Sequence, residues 1–119
     1  MNKKIVIWDR TFNLPINFDC YDDEEILDLQ LDAIKEFKLS KDSQEECKDA
    51  LIKRIKRNGS IDVDNVFKYV RPIELYVQRN KKKKIVGIIC AYKLDMEHGL
   101  ALVFENNNFS KIGGQDVLY

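Results

Sequence analysis

The sequence has one histidine, His98, and three cysteines, Cys20, Cys47 and Cys90, which lie far apart and form no Cys-x-x-Cys pair. An odd, scattered set argues against a disulfide framework or a zinc knuckle and for free thiols, buried in the case of Cys47 and Cys90 with their apolar neighbours. There is no Gly-rich phosphate loop, no Gly-x-Ser-x-Gly and no His-Glu-x-x-His. The common nucleotide-binding, serine-hydrolase and zinc-protease signatures are therefore missing. The longest apolar run, residues 85–92, falls well short of the about 18 residues that cross a bilayer and suits a buried strand. The first residues start like a signal peptide, but Asp9 and Arg10 interrupt them before an apolar region is complete. The expected address is the cytoplasm, and no membrane partner is expected.

Net charge is also missing, since 20 basic and 20 acidic residues cancel. The cancellation hides an asymmetry: residues 1–50 carry a balance of −6 and residues 51–119 a balance of +6. Opposed fields of this kind bear on partners more than on fold. A chain of 119 residues supports one core, hence one domain over residues 1–119.

Along the chain, residues 5–8 and 16–21 are β-prone and are punctuated by residues 11–15, which predicts an N-terminal hairpin. Helical spacing follows Asp22 and Asp23. Ile26, Leu29, Ala33 and Phe37 recur at offsets of 3, 4 and 4, with Gln30 and Ile34 beside them. Asp22, Asp23, Glu24 and Glu25 stand where a helix N-terminus favours anions. Residues 40–43 read as a break. A second helix is predicted from Gln44 to Arg57, with Ser43 and Glu46 as a capping box. Cys47, Ala50, Leu51 and Ile55 form its apolar stripe, and Asn58-Gly59 ends it. Residues 60–70 fit either a loop or a short helix started by Asp62 or Asp64. Strands follow. In residues 73–78, Ile73, Leu75 and Val77 alternate with Glu74, Tyr76 and Gln78. Asn80 and the lysines of residues 81–84 make a turn. Residues 85–93 form a central strand in which Gly87 marks a bulge or a close approach. Residues 100–104 and 109–112 flank a tight turn at Asn106-Asn107. The class is α+β: an antiparallel sheet made of an N-terminal hairpin and a C-terminal meander, with two helices packed on one face.

Three features could carry chemistry. The first is the run of residues 95–101, where Asp95, Glu97 and His98 precede Gly99. With Asp116 they could form a small enzyme or metal centre. Three ligands within one turn, with one histidine, do not by themselves converge on a metal, and no nucleophile stands at a defined spacing. The run reads better as a hairpin corner: Gly99 takes the special dihedral, Asp95 bonds turn amides, and His98 packs partly buried against the sheet end. Catalytic residues, metal and cofactor are accordingly not expected. The second feature is acidic. Asp22, Asp23, Glu24, Glu25, Asp28, Asp32 and Glu36 face Lys35 alone, which describes either a solvated face or a negative surface that steers a basic partner. The third is basic. Lys53, Arg54, Lys56 and Arg57, with Lys81, Lys82, Lys83 and Lys84, could meet phosphates, but without aromatic platforms or net positive charge a nucleic-acid interface is disfavoured.

Several segments also match a pattern. Tyr69-Val70-Arg71-Pro72 opens a strand, and Val86-Gly87-Ile88-Ile89 lies in the central one. Asp95, then Glu97-His98-Gly99-Leu100-Ala101, Phe104-Glu105-Asn106 and Ile112-Gly113-x-Gln115-Asp116 complete the pattern. In these residues 69–119 resemble the C-terminal half of a small bacterial family of unknown function that recurs near secreted polymorphic toxins. The first half is similar more loosely, through the acidic turn before a helix with Gln30, Ala33 and Phe37. Asn106-Asn107-Asn108 stands where a glycine turn is usual, a change that a hairpin tolerates. The resemblance implies a fold and a context, that of immunity-type proteins, more than a reaction. The expected partner is then a cognate basic toxin domain, with the acids of residues 22–36 as its contacts.

Overall fold

In the computed structural model, residues 1–59 and 63–119 are described. The chain opens with β1 (Asn2–Ile7) and β2 (Arg10–Phe18), joined by Trp8 and Asp9 at φ 49° and 65°. This two-residue turn with positive φ at both positions matches the twist of a hairpin. It lies earlier than expected, and residues 11–15 belong to β2. A left-handed tryptophan is uncommon, and tertiary bonds hold it. The Trp8 amide donates to Gln44 Oε1 and its indole N–H to the Gln44 carbonyl, each at 2.9 Å. Pro15 sits one residue before β2 gains its second neighbour, where its missing N–H faces no strand.

Two helices then cross one face. The first, α1 (Asp28–Lys35), begins later than the acids suggested: Asp22, Asp23, Glu24 and Glu25 lie in a turn ahead of it, and only Asp28 occupies its first turn. Leu27 caps it with help from Gln30, whose Oε1 accepts the Leu27 amide at 2.9 Å. Its buried positions are Gln30, Ala33 and Ile34, followed by Phe37. The expected stripe is thus rotated, leaving Ile26 at its edge and outside the core. The reason is that Gln30 docks, its Nε2 donating to the carbonyls of Asp19 at 3.1 Å and Val77 at 3.2 Å.

The second helix, α2 (Lys41–Arg57), starts three residues before the expected position. Ser40 is the cap, its Oγ accepting the Ser43 amide at 3.1 Å. Ser43 instead lies inside the helix, buried, and donates to the Asn107 carbonyl at 3.2 Å. Either serine satisfies a cap; the one whose hydroxyl is claimed by another turn is not it. Cys47, Leu51 and Ile55 are fully buried, and the helix ends at Asn58 with Gly59 at φ 102°. Tyr92 Oη donates to Asn58 Oδ1 at 2.7 Å and fixes that end to the sheet. Of the two acids expected to start a short helix, Asp62 lies outside the described residues. Asp64 pairs with Lys68 at 2.9 Å beside a single 3₁₀ turn, Val66–Lys68, capped by Asn65.

The chain returns as β3 (Val70–Val77), parallel to β2 through Ile16↔Leu75, Asn17↔Tyr76 and Phe18↔Val77. The α+β arrangement is as expected except for this ladder. A crossover through two helices brings the strand back in the same direction, whereas hairpins force antiparallel pairing. The meander continues with β4 (Ile85–Tyr92), β5 (Leu100–Glu105) and β6 (Asn108–Gly113), so the sheet runs in sequence order. Asn106 and Asn107, at φ 48° and 69°, make the last hairpin turn. A register shift between Pro72 and Glu74 turns Ile73 outward, against the simple alternation, while Leu75 and Val77 stay buried. Proline removes a ladder donor, and a bulge is where a strand accommodates that.

The helices cover one face, α1 against β3 and β4, and α2 against β6. The C-terminal 3₁₀ helix, Gln115–Leu118, covers part of the other, where Leu118 packs with Tyr76, Ile85, Ile89, Ala101 and Val103. Gly87 is a close approach and not a bulge: a Cβ there would lie 2.4 Å from Leu118 Cδ1. With both faces covered, every residue of β4 but Ala91 is buried. The nearly isosteric substitution Gln30→Leu, which abolishes three hydrogen bonds and leaves the Leu27 amide and the Asp19 carbonyl without these partners while the Val77 carbonyl keeps the Asp19 amide, is expected to destabilise the chain by about 2–4 kcal/mol. Urea unfolding measures this, and a midpoint equal to wild type would show that the docking adds nothing net.

Candidate functional site

The corner between β4 and β5 is built from its backbone. The Asp95 amide donates to the Tyr92 carbonyl at 3.2 Å, and the Gly99 amide to the Asp95 carbonyl at 3.0 Å. Gly99 has φ 61°, and a Cβ there would meet Gln115 Nε2 at 2.3 Å and the Cys90 carbonyl at 3.2 Å, so glycine is required twice over. The Gln115 amide donates to the His98 carbonyl at 3.1 Å, which ties the corner to the C-terminal 3₁₀ helix carrying Asp116. The motif thus joins two structural elements.

His98 itself is exposed and does not pack against the sheet end as expected. Its Nδ1 lies 3.0 Å from both oxygens of Asp95, and its amide donates to Asp95 Oδ1 at 3.2 Å. The carboxylate bonded to its ring raises the His98 pKa above the usual 6.5, with the fields of Glu97 and Asp116 adding to it. The His98 amide, then its ring, lower Asp95 below the usual 3.8. Asp95, Glu97, His98 and Asp116 therefore share one neighbourhood. Among the described residues, however, no three His, Cys, Asp or Glu side chains are arranged to hold a metal ion. Cys47 and Cys90 are buried, which pushes both thiols up, Cys90 to about 12, and leaves them unreactive.

The acidic segment lies near the opposite end of the sheet, and there the two charge halves of the sequence meet. Arg79 Nε pairs with Glu24 Oε2 at 3.1 Å, its Nη1 donates to the Glu25 carbonyl at 2.9 Å, and its amide donates to Asp19 Oδ2 at 3.2 Å. Lys84 pairs with Glu36. Asp22, Asp23, Glu25, Asp28 and Asp32 remain exposed, and among the described residues none of these side chains has an ion pair. Sequence reasoning missed the apolar side chains interleaved with them. Tyr21 is 78% exposed, Leu31 41% and Ile26 39%. Leu31 stands off the helical stripe, which is a readable signal; Ile26 was masked by its place on it.

The two basic segments do not form one patch. The N-terminal end of α2 meets the Asn107 turn, and the Lys84 amide donates to Asn106 Oδ1 in that same turn. Lys53, Arg54, Lys56 and Arg57 occupy the other end of α2, beside Tyr92. A helix of 17 residues separates the ends by about 25 Å. Asn80 Oδ1 accepts the amides of Lys82 and Lys83, each at 2.8 Å, which shapes the lysine turn locally.

The corner has a signature in solution. The raised His98 pKa gives stability that is present below 6.5 and is lost as pH rises through the folded-state value. The lowered Asp95 pKa gives stability that is present above 3.8 and is lost as pH falls through the folded-state value. The ion pair is fullest between the two. In an NMR titration the His98 ring is expected to titrate above 6.5 and to move back toward it in Asp95→Asn. A midpoint unmoved by the substitution would show that the pair does not form.

No curated protein and no solved structure matches the chain. A family match spans residues 2–119, from β1 through the C-terminal 3₁₀ helix, so it takes in the corner, the acidic segment and the whole sheet. The chain belongs to the family described as a domain of unknown function, DUF6985.

Proposed function

We propose that the chain is an immunity-type binding protein, a bacterial cytoplasmic inhibitor that neutralises a cognate toxin by protein–protein contact and masks a basic toxin domain. One observation carries the reading: within residues 21–32 the exposed acids Asp22, Asp23, Glu25, Asp28 and Asp32, which have no ion pair among the described residues, stand beside the exposed side chains of Tyr21, Ile26 and Leu31. A solvated helix face needs the charges but not the apolar surface. A docking surface uses both, the aromatic and aliphatic groups as anchors and the charges for steering and register. Toxins that act on nucleic acid are basic because they hold phosphates, and a negative surface is their complement. The role needs no catalytic group, which suits a corner whose Asp95 carboxylate is taken up by the His98 amide and ring.

The test uses the gene immediately upstream. Where it encodes a large secreted protein, its C-terminal domain is co-expressed with this chain and binding is measured by calorimetry and stopped flow. Asp28→Lys with Asp32→Lys is expected to weaken binding about tenfold or more at low salt, mainly through a slower association rate. Tyr21→Ala is expected to act on dissociation. Equal affinity for wild type and the double variant would remove this surface from the interface.

A further inference from the structure

We infer that the free edge of β1 is a strand-accepting groove for an extended acidic segment of a partner protein. It is a second interaction surface, and it does not rest on the inhibitor role proposed for the acidic segment.

Hydrogen-bond parity decides which backbone groups of β1 are free. In the hairpin, Ile7 pairs with Arg10 across the two-residue turn, and the Ile16 amide donates to the Met1 carbonyl at 3.0 Å. Met1, Lys3, Ile5 and Ile7 therefore direct their backbone groups toward β2. Lys4 and Val6 direct theirs away from it, and β1 is the terminal strand of the sheet. Among the described residues nothing bonds to those outward groups. The next outward donor, the Trp8 amide, is taken by Gln44 Oε1. A side-chain amide thus acts there as a neighbouring strand would and closes one end of the edge.

The rest of the edge faces a groove. Its far wall is the α1–α2 connection, with Lys38 and Leu39, and its near wall is β1, with Lys3, Lys4 and Val6. Gln44 joins the walls, since its Nε2 donates to the Leu39 carbonyl at 3.1 Å. The floor is apolar: Phe37 is buried and packs edge-on against Phe104 at 5.6 Å. Val6 is 55% exposed. Lys3, Lys4 and Lys38 have no ion pair among the described residues. Open main-chain donors and acceptors, an apolar floor and three unpaired cations match an extended segment that alternates apolar and acidic residues. Main-chain bonds would give affinity, and the lysines would select the sign of charge. The same lysines oppose self-pairing: registering Lys4 against Lys4 of a second copy sets like charges face to face.

The experiment selects from a random decapeptide library displayed against the full chain. Enrichment of peptides alternating Asp or Glu with apolar residues is expected. A selected peptide, synthesised, should slow hydrogen exchange at the Lys4 and Val6 amides. Val6→Pro removes an outward donor without touching the β1–β2 ladder and should weaken that peptide by about tenfold or more. Lys4→Glu, which leaves the backbone intact, should weaken it comparably and more so at low salt. The inference is overturned by a selected pool without acidic enrichment, or by a peptide that binds Val6→Pro and Lys4→Glu as tightly as wild type. Protection of both amides that rises with protein concentration alone would also overturn it, by making a second copy the occupant.

Discussion

One buried amide holds the architecture together. Gln30 bonds the start of α1 through the Leu27 amide, the end of β2 through the Asp19 carbonyl and the end of β3 through the Val77 carbonyl. These are the points where the hairpin half and the meander half of the molecule join, and the β2–β3 ladder that joins them is only three residue pairs long. A short parallel ladder is a weak seam. A buried polar side chain that bonds three backbone groups at its end stiffens it: the Leu27 amide and the Asp19 carbonyl would otherwise be desolvated without this partner, and the Val77 carbonyl, which also accepts the Asp19 amide, gains a second bond. The position of α1, and with it of the acids on its outer face, follows from that docking. So does the exposure of Leu31 on that outer face.

Electrostatics acts on this frame in two steps. The opposed halves of the sequence first meet: Arg79 and Lys84, from the basic half, take Glu24 and Glu36 from the acidic half. The Arg79–Glu24 pair is half-buried, and the Lys84–Glu36 pair, more open to solvent, adds little stability. Their effect is selection, since they leave Asp22, Asp23, Glu25, Asp28 and Asp32 as the acids available to an outside partner. A reading of net charge would have put the whole segment forward. Pairing narrows it and locates it beside Tyr21.

What could be read from the sequence follows the range of the interactions involved. The sheet order after β3 was legible because each turn there is local: Asn106-Asn107 adopts left-handed dihedrals, and Asn80 bonds the lysine amides. The buried stripe of α2 was legible because Cys47, Leu51 and Ile55 obey one period. The cap was misplaced by three residues because Ser40 and Ser43 are locally equivalent, and only the Asn107 carbonyl, 64 residues away, tells them apart. The parallel ladder, the bulge at Pro72 and the docking of Gln30 are likewise long-range and left no periodic trace. For the candidate site, the charges were legible and their partners were not. His98 was expected to be packed and is exposed, because the glycine beside it, and not the histidine, takes the crowded place next to Gln115 and the Cys90 carbonyl.

The edge of β1 can be weighed against the ordinary reason for lysines on a terminal strand, which is to block pairing with other chains. That reason accounts for Lys3 and Lys4. It does not account for Val6, which is apolar and exposed between two buried isoleucines, at the place where protection is most needed. Nor does it account for Gln44, which spans from the Trp8 amide to the Leu39 carbonyl and holds a second wall, with a third lysine, along the strand. A blocked edge needs charge and no wall; an accepting edge needs a wall, a floor and free backbone groups in register. β1 has all three. Its lysines then exclude neutral and basic strands, a second copy of β1 among them, and leave the edge open to acidic ones.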